Sequence, residues 1–200
     1  MQVKTKAIVL SVLKFQEKSL IVKCFTQSDG LKSYFVRNAF SSQKNNQKIA
    51  YFQPLNILEI FLSEVLHHSI KEEEKNENLF SFLETAFQWL DTHDEISNFH
   101  LILLLEMTKY LGFYPDISDR ELPYFETIDG VFSLFQGTSC LSKHETSLLN
   151  RLIDLKFDDM QNNFASVERQ LLLKILLDFY AVHLDGFKKP KSLDVLKEVF

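Results

Sequence analysis

The spacing of apolar residues changes period near residue 61, and that change limits the fold more than any other feature. Before it, the runs A-I-V-L-S-V-L-K-F (7–15) and S-L-I-V-K-C-F-T (19–26) are dense in β-branched and apolar residues, which suit a pleated surface. Gln27-Ser28-Asp29-Gly30 is a turn, since Asp and Gly tolerate the positive φ of tight hairpins. Residues 31–37 alternate as a third strand, residues 38–48 form a polar loop, and a fourth strand starts near Tyr51, with Pro54 at its edge or a bulge. Short strands joined by turns, with no helix between them, predict a small barrel or meander.

From Phe61 onward the period is helical. Phe61, Leu62, Val65, Leu66 and Ile70 form one stripe, and Leu79, Phe80, Leu83, Phe87 and Leu90 a second. Residues 96–111 are a third helix, with Gly112 as its C-cap and Pro115 just beyond. Residues 124–135 are an excursion that turns at Asp129-Gly130. Ser142 and Glu145 have capping-box spacing and open a helix toward Leu155. Residues 167–185 form a long apolar-faced helix closed by Gly186, and residues 192–200 a short terminal one. The expected class is α+β, with a β domain over 1–60 and an all-α domain over 61–200. Short connections imply packed antiparallel helices.

Charge divides in the same way. Residues 1–56 hold nine Lys and Arg against Glu17 and Asp29, a balance of +7, whereas the remainder stands at −12. Such asymmetry points to nucleic-acid or membrane contact by the basic half, or to a solubilising lysine surface. The longest strictly apolar stretch beyond the first strand is 101–105, far short of a membrane span. Lys14, Glu17 and Lys18 follow the apolar N-terminal run directly, without a small-residue cleavage site, so it is not a signal peptide and the expected location is cytoplasmic.

Catalytic motifs are missing from the sequence. There is no G-x-G-x-x-G, Walker loop or nucleophile elbow. His67-His68 is the only histidine pair, and neighbouring residues on a helix point about 100° apart, a poor joint metal site. Cys24 and Cys140 belong to no C-x-x-C pair. The expectation is a binding protein rather than an enzyme.

Several segments carry a resemblance. K-T-K-A-I-V-L (4–10), S-L-I-V-K-C-F-T (19–26), the Asp-Gly turn, Y-F-V-R-N-A (34–39) and F-Q-P-L-N-I-L-E-I (52–60) resemble the RecO family of bacterial recombination mediators. So do Y-L-G-F-Y-P-D (110–116), Y-F-E-T-I-D-G-V-F (124–132) and the C-terminal 183–200, in the family's order. The resemblance implies an N-terminal OB-fold followed by a helical domain. It implies binding to single- and double-stranded DNA and annealing of complementary strands. It also implies contact with the acidic tail of single-stranded DNA-binding protein (SSB), and loading of RecA recombinase with RecR. A bacterial, nucleoid-associated location in the cytoplasm follows. No cofactor is expected: many members carry a four-cysteine zinc site in the helical domain, and here that region has only Cys140. Against the family pattern, roughly 30–40 residues are absent between Ile60 and Phe61, enough for a strand, its turns and half a helix. The expected fold is therefore an OB-fold-like barrel truncated to about four strands. An OB barrel needs five to close.

On this reading Lys14, Lys18, Lys32, Arg37, Lys44 and Lys48 contact phosphates, lying at strand ends and in the polar loop. Tyr34, Phe40 and Tyr51 are candidates for stacking on bases, since a flat ring accepts any base; Tyr51 also reads as core. Lys188, Lys189 and Lys191 form a second basic patch, readable as solvated surface or as a DNA contact. The competing reading is a protein-interaction adaptor that binds through its helices and not to DNA.

Overall fold

A computed structural model describes residues 5–15, 19–37, 57–70, 75–93, 97–159 and 164–193. The chain forms two compact units, Met1–Glu84 with Pro190–Leu196, and Thr85–Lys189 with Lys197–Phe200.

In the first unit β1 (Ala7–Phe15), β2 (Ser19–Thr26) and β3 (Gly30–Val36) form an antiparallel meander in that order. The turn sets the β2–β3 register. Gly30 takes φ 66°, Thr26 Oγ1 donates to the Gly30 carbonyl at 2.8 Å, and the Asp29 N–H donates back to Thr26 Oγ1 at 3.2 Å. Residues then pair from Thr26–Gly30 to Leu20–Val36. The β1–β2 register shifts between Val9 and Ser11, a bulge at Leu10. Leu10 is buried, and its carbonyl accepts a hydrogen bond from Ser63 Oγ of helix α1 (Ile57–Ser69). A bulge of this kind re-aims a side chain and frees a carbonyl for another partner.

The first correction to the sequence reading lies in α1. Residues 57–60, expected to end strand four, are its first turn. The cause is spacing: Leu58, Phe61, Leu62, Val65 and Leu66 fall on one helical face and all are buried. The line drawn after Ile60 therefore runs through a continuous helix. The proposed start of the fourth strand, near Tyr51, lies outside the described residues, which contain three N-terminal strands and no closed barrel. Helix α2 (Glu77–Thr92) follows, and its Phe80 packs 5.8 Å from the Phe25 ring of β2. Glu64 of α1 accepts from both the backbone N–H (2.9 Å) and hydroxyl (2.8 Å) of Ser192, which ties the returning C-terminal segment to this unit.

The second unit is built around α3 (Phe99–Leu111), buried along nearly its whole length. Gly112 caps it with φ 86°, its N–H donating to the Thr108 carbonyl, as the sequence predicts. The hairpin of β4 (Tyr124–Glu126) and β5 (Val131–Ser133) turns at Asp129-Gly130 and buries Phe125 and Phe132. Helix α4 (Lys143–Asp154) carries the predicted Ser142–Glu145 capping box, and the Thr146 hydroxyl accepts from the Phe125 N–H at 3.0 Å. Helix α5 (Ser166–His183) packs on α3 and α4, and its buried Tyr180 hydroxyl donates to the Leu104 carbonyl at 2.7 Å. Most of the predicted helix over 192–200 lies outside the described residues.

Candidate nucleic-acid interface

Opposed residues of an antiparallel pair present their side chains on the same face, so the registers sort the sheet into rows. One face carries the rows Val9–Cys24–Lys32, Val12–Val22–Tyr34 and Lys14–Leu20–Val36. Its centre is a buried cluster of Leu20, Val22 and Cys24, against which Val9, Val12 and Val36 pack. Burial pushes the Cys24 thiol pKa up. Lys14, Lys32 and Tyr34 stand on the two outer strands of this face. Tyr34 is 42% exposed, and its phenol pKa is raised first by desolvation, then by Cys24 and Asp29.

The other face carries Ile8–Phe25–Leu31, Ser11–Lys23–Ser33 and Leu13–Ile21–Phe35. The first row is core, through Phe25 on Phe80. The second is polar, and its Lys23 lies close enough to α1 to disfavour the His67 imidazolium, which burial already disfavours more strongly. The third row opens to solvent at its two outer members, with Ile21 between them half-buried. Leu13 is 62% exposed and Phe35 49%, and Phe15, one pair further along, is 43% exposed. The Phe15 and Phe35 rings meet edge to face with centroids 5.6 Å apart, and the Arg37 guanidinium lies over Phe35, 5.9 Å from its centroid.

The structure thus divides the sequence candidates that it describes. Lys14, Lys32 and Tyr34 share the face of the buried cluster, whereas Arg37 associates with the opposite, aromatic face. Lys18, Phe40, Lys44, Lys48 and Tyr51 lie outside the described residues. Lys6 is engaged by Glu84 at 2.8 Å. At the C-terminus Lys189 is 2.5 Å from Asp178, so part of that basic patch is internally neutralised. Sequence reasoning passed over Phe15 and Phe35, yet a signal was present. The Asp29-Gly30 turn fixes Phe35 opposite Ile21, and Ile21 is two residues from Ser19, the partner of Phe15.

Among the described residues no three His, Cys, Asp or Glu side chains are grouped to hold a metal ion, and both cysteines are free thiols. No described helix is long and apolar enough to cross a membrane.

The family described as Recombination protein O matches over both parts, its N-terminal profile on residues 1–81 and its C-terminal profile on 58–194. The chain belongs to the RecO family. A DNA repair protein RecO of Flavobacterium johnsoniae is 62% identical, and one of Flavobacterium psychrophilum 61% identical, each comparison covering all of both chains. A third, from Christiangramia forsetii, is 38% identical, again over all of both chains. The comparison with the Flavobacterium johnsoniae protein spans 236 positions where this chain has 200 residues. At least 36 of those positions therefore have no residue here, in accord with the size of the segment that the sequence pattern finds missing. The N-terminal domain of RecO proteins is an OB-fold, and the described residues of this chain hold three antiparallel strands as an open sheet. The chain is a RecO-type DNA repair and recombination protein.

Proposed function

We propose that this chain binds single- and double-stranded DNA through its β unit, anneals complementary strands, and acts with RecR to help load RecA onto SSB-coated DNA. The observation that supports this most is the concentration of +7 charge in residues 1–56 of an otherwise acidic RecO-family chain. A basic sheet with exposed rings is the usual means of holding a nucleic-acid backbone without reading its sequence. Lys14, Lys32 and Arg37 supply phosphate contacts in this proposal, with Lys18, Lys44 and Lys48 from the segments around them. Tyr34 and Phe40 are the stacking residues it takes from the sequence. The SSB tail binds the helical unit, where it needs an apolar pocket with a basic rim. No catalytic step, zinc centre or other cofactor forms part of this reading.

Phosphate neutralisation releases counterions, so affinity for a single strand should fall with salt by a log–log slope of roughly −0.7 per contact. Replacing Lys32 and Arg37 together by Ala should flatten that slope by about 1–1.5 and weaken binding to every sequence alike. An unchanged slope in the double variant would remove these residues from the interface, and the adaptor reading would then be favoured.

A further inference from the structure

We propose that the row Leu13–Ile21–Phe35, with Phe15 and Arg37, is a base-stacking platform that makes the chain prefer unpaired strands to duplex. This rests on the DNA-binding reading above and goes beyond its phosphate contacts. The sequence pattern puts stacking on Tyr34 and Phe40; the geometry points to the face opposite Tyr34.

A polar row, Ser11–Lys23–Ser33, separates these side chains from the Ile8–Phe25–Leu31 row, whose centre Phe25 is buried, so they are not an extension of that core. Phe15 and Phe35 are each more than two-fifths exposed although apolar, on the two outer strands of a sheet whose middle strand buries Leu20, Val22, Cys24 and Phe25. Their rings stand 78° apart. They therefore cannot stack on the same base; one provides a floor and the other a wall. Arg37, beside Phe35, brings a guanidinium that can both stack and pair with a phosphate. A second copy of this chain fits the patch poorly. It would bring two surfaces of like charge together, over far fewer residues than the roughly 20–30 per side of a stable interface. A single strand matches on both counts, since its bases have open π-faces and its backbone is anionic.

A duplex hides its base faces in the stack and offers a protein its phosphates and groove edges. The platform consequently recognises only unpaired strands, while the lysines recognise either form. Annealing then converts a doubly held substrate into a product held by phosphate contacts alone. Product release is built into the surface.

The test is fluorescence-anisotropy titration of the full chain with a labelled single strand and with the matching duplex, at fixed salt. Phe35→Leu keeps an apolar side chain but loses the flat ring, and Phe35→Trp keeps it. Phe35→Leu should weaken single-strand binding by between about fivefold and about 150-fold, the range for one stacked base. Its duplex affinity and salt slope should stay at parent values, and Phe35→Trp should restore the single-strand affinity. Equal losses on single strand and duplex would overturn the platform, as would an unaffected single-strand affinity in both Phe35→Leu and Phe15→Leu. A change of sedimentation coefficient in these variants without a loss of single-strand binding would assign the patch to self-association and overturn it too. If the parent chain binds no DNA of either form, the DNA-binding reading itself fails and the platform with it.

Discussion

Phenylalanines in the helical core and at the open end of the sheet have opposite fates. In the helical unit Phe99, Phe125 and Phe164 are each at most 2% exposed. On the sheet, Phe15 and Phe35 are 43% and 49% exposed, and each has the other as an aromatic neighbour. Residue type therefore does not separate packed rings from exposed ones in a chain with 19 Phe. The deciding property is whether a ring lies within a closed core or beyond a polar row that marks where the core stops.

The largest effect that would sharpen this contrast is on stability. Phe125→Ala should destabilise the chain by about 3–5 kcal/mol, through lost transfer energy and an unfilled cavity among Phe132, Phe179 and the hairpin. Phe35→Ala should cost within about 0.5 kcal/mol, as for other surface positions. Urea unfolding followed by circular dichroism measures both. A loss near 3 kcal/mol at Phe35 would mean that the aromatic row is core, and the contrast between these rings would collapse.

Next in size is an acid sensitivity located in the helical unit. His100 of α3 is fully buried, and burial, with a smaller contribution from Arg169, holds its pKa down to about 3. The unfolded chain binds this proton near the ordinary value of about 6.5. A base whose folded pKa is depressed contributes its full stability above the unfolded pKa and loses it as pH falls toward the folded one. At pH 5 the loss from this group is about 2 kcal/mol relative to neutral pH. His100→Gln, which does not titrate, should flatten the decline of the urea midpoint between pH 7 and pH 5. An equally steep decline in the variant would place the acid sensitivity elsewhere, with partly buried His67 on α1 the nearest alternative of the same sign.

How much of this was legible in the sequence depended on how local the determining physics was. The Asp29-Gly30 turn, the Gly112 cap and the Ser142–Glu145 box are set within a few residues, and each appears where the sequence puts it. The start of α1 was misread because I-L-E-I is short, apolar and β-branched, which suits a strand as well as a helix. Only by running the helical spacing back from Phe61 to Leu58 is the helix distinguished. The aromatic pair was missed for a non-local reason. Phe15 and Phe35 are distant in sequence and meet only through two strand registers, one of them shifted by the bulge between Val9 and Ser11. Tyr34, beside Phe35 in sequence, attracted the stacking role, but the two-residue period of a strand puts neighbours on opposite faces.

The smallest predicted effect bears on whether the helical unit shares in phosphate binding. Lys188, Lys189 and Lys191 resemble a second basic patch, yet Lys189 already lies 2.5 Å from the Asp178 carboxylate. A lysine held by a carboxylate has no net charge to offer a phosphate unless that pair opens. Lys189→Ala also uncovers Asp178, so the local potential changes even without a DNA contact. The slope of affinity against salt is the better readout, because it counts phosphates neutralised rather than overall attraction. Lys189→Ala should leave the slope unchanged, where Arg37→Ala flattens it by about 0.7. Equal flattening by the two would show that DNA runs onto the helical unit, and that the charge division near residue 56 does not mark the edge of the interface.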